Sequence, residues 1–156
     1  MKDVVVELLS ERGVPLNEIA NLVLELQKPY QPGLTLDDCL ASVLAVLEKR
    51  EVQHAILTGV ALDVLAEQHA LPEPLCSIVT RDASLYGIDE ILALGITNIY
   101  GTIGLTNFGY LDKTKLGILR TLNSHKERVH TFMDDLVAAL AAAAASRLAH
   151  NRRQSQ

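Results

Sequence analysis

Three groups of carboxylates interrupt the most apolar stretches of this chain. Asp89 and Glu90 lie in Tyr86-Gly87-Ile88-Asp89-Glu90-Ile91-Leu92-Ala93-Leu94, and Asp112 lies in Phe108-Gly109-Tyr110-Leu111-Asp112-Lys113. Asp134 and Asp135 open the run Phe132-Met133-Asp134-Asp135-Leu136-Val137-Ala138-Ala139. Taking an unpaired carboxylate out of water costs on the order of several kcal/mol, so a buried acid needs a partner. If helices gather these five acids, a hard divalent cation is the simplest shared partner: Mg²⁺, or Mn²⁺ in its place, before Zn²⁺. Such a metal would neutralise a phosphate and lower the pKa of an attacking water.

Each group also has a plainer reading. With Thr131 as N-cap, Asp134 falls at N3 of a helix, where a carboxylate meets free amides and the positive end of the dipole. Asp135 points about 100° away from it around the helix. Asp89 and Glu90 sit near another helix start, and neighbouring residues do not share a face, so one of them turns inward. Asp112 suits a solvated loop. Lys115 and Arg120 could hold phosphate oxygens, or belong to a solvated basic face with Lys113 and Arg128. His130 could serve as acid or base, or stand exposed before the helix. The five histidines show no zinc spacing, and no G-x-S-x-G, P-loop or G-x-G-x-x-G is present.

The elements that must position these acids read as helices throughout. Pro15 opens one in which Ile19, Leu22, Val23 and Leu26 recur at helical spacing, and Pro29-Tyr30-Gln31-Pro32-Gly33 breaks it. Thr35 with Asp38 forms a capping box for the next. A further helix spans about Glu51 to Gln68, and Pro72 and Pro74 delimit a short turn. Leu85 to Ile103 is apolar nearly all round and predicts a buried central helix. Thr114 to Leu122 is a shorter helix, and 123–128 a polar connection. Ala138, Ala139 and Ala141–Ala145, with only Leu140 between, make the last helix strongly helix-favouring. The expectation is an all-α, single-domain bundle of six or seven helices over 1–150, with 151–156 a tail. No alternating strand pattern competes with it.

Bulk properties narrow the function. Hydrophobic residues make up 49% of the 156, but aromatics only 4%, which suits a core of close-packed aliphatic helices. A net charge of −5 argues against nucleic acid as a partner. Ile91 to Leu111 carries no charge over 21 residues, enough to cross a bilayer, yet four glycines, two asparagines and three threonines favour a buried helix and a glycine-rich turn. Cys39 and Cys76, far apart among apolar neighbours, read as buried thiols in a reducing cytoplasm. The N-terminus lacks a signal-peptide pattern. The alanine-rich helix offers a self-complementary face, so a homo-oligomer is expected.

In order, the acidic segments resemble the phosphatidylglycerophosphatase A family, specifically its soluble, YutG-like branch. Residues 86–93 look like the family's aromatic–small–apolar–Asp-Glu segment. Residues 108–118 are similar to its Phe-Arg-x-x-Asp-x-x-Lys-Pro-x-Pro-Ile segment, and 133–139 to its apolar-Asp-Asp-x-x-Ala-Gly segment. The likeness covers about 85–150. Residues 1–84 lack the family's Pro-Gly-Thr-type N-terminal motif; Gly109 stands for its arginine, Leu116 and Ile118 for its prolines, and Ala139 for its last glycine. The resemblance implies a Mg²⁺-dependent phosphomonoester hydrolase of phospholipid metabolism. In that reading Asp89, Asp134 and Asp135 bind the metal and act in catalysis, and Glu90 and Asp112 are further metal ligands. Lys115 and Arg120 hold the phosphate of a small molecule or lipid headgroup, with at most peripheral membrane contact. The alternative is a non-catalytic, oligomeric binding or regulatory module that keeps the scaffold. An all-α nucleotide pyrophosphatase would need an E-x-x-E spacing that is missing.

Overall fold

The computed structural model describes residues 1–124 and 127–154. His125 and Lys126 of the expected connection, and Ser155 and Gln156 of the tail, lie outside the described residues. The described residues form α1 (Lys2–Glu11), α2 (Leu16–Gln27), α3 (Leu36–Leu47), α4 (Arg50–Glu67), α5 (Leu75–Thr80), α6 (Ile88–Thr97), α7 (Thr102–Thr114), α8 (Ile118–Ser124) and α9 (Met133–Gln154), with a 3₁₀ turn at Asn98–Tyr100. The all-α, single-domain expectation is met, but nine α-helices replace the six or seven expected.

Two features account for the difference. The N-terminal segment forms α1, which buries Val5 and Leu9 although its pattern drew no expectation. The single helix expected over Leu85–Ile103 is split. It ends at Thr97, tightens through the 3₁₀ turn, and breaks at Gly101, whose φ of 76° and ψ of −160° only glycine adopts without strain. α6 is also not buried all round: Ile91 is 63% exposed, and Ile88 and Leu94 also face solvent. No helix among the described residues is long and apolar enough to cross a membrane.

The central helix is α9 instead. Ala138 to Ala145 are all within 1% of full burial, surrounded by α2, α3, α6 and α7. Alanine makes this possible, because interaxial distance depends on the side chains at the contact. Ser42 of α3 approaches closely enough to donate to the Ala144 carbonyl at 2.8 Å, and Ser146 donates to the Tyr100 carbonyl at 2.9 Å. These alanines pack inside one chain, so the self-complementary face expected from them is absent.

Local signals hold elsewhere. Pro15 precedes α2, and Thr35 and Asp38 form the complete capping box of α3. Cys39 and Cys76 are both buried free thiols, and burial, helped by Asp38, pushes the Cys39 thiol up to about 11.

Candidate functional site

The acids converge where the C-terminal end of α7, the first turn of α6 and the first turn of α9 meet. α7 ends at Lys115, whose φ of 48° turns the chain out of the helix while its N–H still bonds to the Leu111 carbonyl. That turn brings Lys115 Nζ to 2.8 Å from Asp112 Oδ1 and 2.8 Å from Asp134 Oδ2. Asp134 Oδ1 accepts the Asp135 N–H at 2.9 Å, so each oxygen of Asp134 has a partner. Asp89, Asp134 and Asp135 are buried. Asp89 Oδ1 is shielded from solvent and has no hydrogen-bond partner.

The electrostatics follow from crowding. Burial, reinforced by Asp134, Asp112 and Asp89, pushes Asp135 up to about 9, against the pull of Lys115. Its surroundings thus favour the neutral form more than they do for an ordinary aspartate. Burial also raises Asp134, which Lys115 opposes. For Lys115, burial works to lower the pKa, but attraction to Asp134 and hydrogen bonds to both acids outweigh it and raise it. The lysine thus stays charged inside a set of carboxylates.

The structure brings together Asp89, Asp112, Asp134, Asp135 and Lys115. It leaves Glu90 and Arg120 exposed. Lys115, expected as a phosphate holder, is paired with Asp112 and Asp134. His130, expected either as an acid/base or in an exposed position, is buried beside Asp82 and Asp134 in a cavity of about 120 Å³ that also meets Thr80, Arg81 and Arg128. A second cavity of about 320 Å³ opens over Asp82, Tyr86, Asp89 and Glu90. A roomier cavity, about 470 Å³ around Gln27, Tyr30, Thr106 and Asn107, contains none of these acids.

The metal centre expected from the sequence is not borne out. Among the described residues, no three His, Cys, Asp or Glu side chains are placed to hold a metal ion. The donor set explains this: Lys115 sits between Asp112 and Asp134, and Glu90 turns to solvent. Mg²⁺ and Mn²⁺ do not fit this arrangement.

Sequence reasoning missed two acids. Asp82, with a φ of 48°, lies within the field of Asp89, Lys115 and Asp112, and burial followed by Asp89 raises its pKa. Nothing in Thr80-Arg81-Asp82-Ala83 marks it. Asp63 does carry a signal: it follows Ile56 and Val60 on the buried stripe of α4 and is fully buried. It accepts the Phe132 N–H at 3.1 and 3.2 Å and the Met133 N–H at 2.9 Å. It therefore caps α9 in place of the expected Thr131, whose hydroxyl donates instead to the Val79 carbonyl at 2.6 Å.

Residues 17–150 match the phosphatidylglycerophosphatase A family. The chain belongs to the phosphatidylglycerophosphatase A family. The match begins well upstream of the three acidic segments and takes in α2 to α4. YutG of Bacillus subtilis is 57% identical over 149 residues, covering 95% of this chain and 90% of YutG. YpjQ of the same organism is 56% identical over 156 residues, covering 100% of this chain and 88% of YpjQ. Among solved structures, the low temperature requirement C protein from Listeria monocytogenes superposes with a TM-score of 0.95 at 57% identity, covering 97% of this chain and 96% of its own. The crystal structure of YpjQ gives a TM-score of 0.96 at 56% identity, covering 100% and 97%. The family match thus takes in the helices from 17 to 84 that lack the N-terminal motif, and the relatives align along nearly all of the chain.

Proposed function

We propose that this chain is a non-catalytic helical binding module on the phosphatidylglycerophosphatase A scaffold, whose acidic pocket receives an organic cation such as an ammonium or guanidinium group. The observation that carries this reading is Lys115 Nζ at 2.8 Å from both Asp112 and Asp134. An internal lysine satisfies those acids, while Asp89 Oδ1 remains a shielded acceptor with capacity for a donor. A cation bearing N–H groups supplies both the charge and the hydrogen bond. Residues 1–150 would act as one domain. Two free, buried thiols suit a reducing cytoplasm. Self-association would use the solvent-facing apolar side of α6, where Ile88 and Ile91 stand exposed, rather than α9.

Titration of the full chain with methylguanidinium chloride, followed by amide chemical shifts, tests the pocket. Saturable shifts at Asp82, Tyr86 and Asp89 that vanish in Asp89→Asn are expected. Shifts that persist unchanged in Asp89→Asn contradict the reading.

Family membership favours a second reading, in which the small cavity takes a phosphate monoester. Arg81 and Arg128 would then hold its oxygens beside Asp134. Phosphate release that is lost in Asp134→Asn would favour this reading over the first.

A further inference from the structure

Asp63 belongs to no acidic segment, yet the first turn of α9 hangs on it. The start of a helix leaves four backbone N–H groups without internal partners. Here two of them, on Phe132 and Met133, are taken by a carboxylate from a different helix. Both Asp63 oxygens are used, and the side chain is fully buried. Asp134 and Asp135 follow directly in the chain. Any shift of Met133 moves them together.

The rest of the approach to α9 is held from nearby. Glu67, one turn beyond Asp63 on α4, accepts the Val129 N–H at 2.8 Å. Arg12 binds Glu67 and donates to the Val129 carbonyl at 2.7 Å. Thr131 is tied to Val79. These contacts fix residues 129 and 131, whereas the side chain that accepts from the N–H groups of Phe132 and Met133, which adjoin the two site acids, is Asp63. The charged and titratable groups whose fields reach Asp63 are Arg12, Asp134 and Tyr86. Burial pushes Asp63 up to about 7, against the two N–H groups and Arg12.

We propose that Asp63 is the positioning residue of the acidic pocket: it sets the register of α9 so that Asp134 reaches Lys115 and Asp135 stays in the apolar interior. The purpose of that pocket rests on the function proposed above, but the positioning does not, and the two are separable by experiment.

The test is a carbon-detected NMR titration of the aspartate carboxyls in the full chain. In the wild type, burial and the neighbouring acids hold the Asp135 pKa well above the ordinary aspartate range. In Asp63→Ala, whose helicity is checked by circular dichroism, loss of both bonds loosens the turn and admits water. The Asp135 midpoint is then expected to fall by about one pH unit or more. Asp63→Asn keeps one acceptor oxygen, and a smaller fall in the same direction is expected, so this variant decides the matter should the alanine variant not fold. Glu67→Gln removes a charge from the same helix without touching Phe132 or Met133 and should leave the midpoint in place. An unchanged Asp135 midpoint in a folded Asp63 variant, or an equal fall in Glu67→Gln, overturns the proposal. Failure of methylguanidinium to bind the wild type would defeat the ligand reading and leave this result standing.

Discussion

Lys115 decides the character of the site, because it turns four crowded acids into a partly neutralised cluster. Removing it as Lys115→Met leaves Asp134 buried without its counter-ion, which should cost about 3–5 kcal/mol in urea unfolding at pH 7. The loss should shrink at lower pH, where Asp134 takes up a proton instead. Asp63 and Asp135 make an opposite kind of demand. Their folded pKa values, about 7 and about 9, lie above the unfolded aspartate value of roughly 3.9. The unfolded chain therefore holds fewer protons between these limits, and stability must fall as pH rises from about 5 to about 9. Asp135→Asn should flatten the part of that decline between pH 7 and 9, as read from urea midpoints across the range. At this scale the sequence was half legible. The spacing of the acids marked a shared place and the family likeness put Lys115 there as a phosphate holder, but nothing in the sequence said that it would pair with Asp112 and Asp134. Only the left-handed backbone at Lys115 reveals that.

Helix contacts rest on a few positions where size or charge leaves little choice. Gly59 of α4 is one. A Cβ built there would stand 2.5 Å from Leu136 Cδ1 and 3.1 Å from both Leu92 Cδ2 and Phe132 Cβ, so α4, α6 and α9 all meet on its bare backbone. Gly59→Ala should destabilise by about 1–3 kcal/mol through overpacking, despite the better helix propensity of alanine. A lowered thermal midpoint with an unchanged circular dichroism spectrum would show it. Arg12 is the other. Its guanidinium spans both Glu67 oxygens, at 2.6 and 3.1 Å, and reaches Val129 as well. Glu67 keeps a lowered pKa although burial pushes it up, because Arg12 and the Val129 N–H favour the charged form. Arg12→Ala should cost about 3 kcal/mol or more, since it strands a partly buried carboxylate and a carbonyl. Helix starts at Pro15 and Thr35 were readable because they rest on neighbours in sequence. The cap of α9 was not, because its acceptor lies 69 residues away on α4.

The whole molecule is arranged around α9, and this inverts the expectation that Leu85–Ile103 would form the centre. Apolar side chains alone did not decide which helix is inside. Ala138–Ala145 carries smaller side chains than α6, and a thin helix can be surrounded on every side by others. The break at Gly101, together with α1, raised the helix count. Fold class and single-domain organisation were legible from helical periodicity and the absence of strand patterns. Which acids are paired, and with what, required the assembled structure. The family likeness pointed to the place where Asp89, Asp112, Asp134 and Asp135 gather, while the donor set found there differs from the metal centre it implied. Phosphate release from phosphatidylglycerophosphate and from p-nitrophenyl phosphate, measured with and without MgCl₂, tests this most directly. No release above the blank is expected in either condition; turnover that depends on Asp134, abolished in Asp134→Asn, would contradict a non-catalytic binding module.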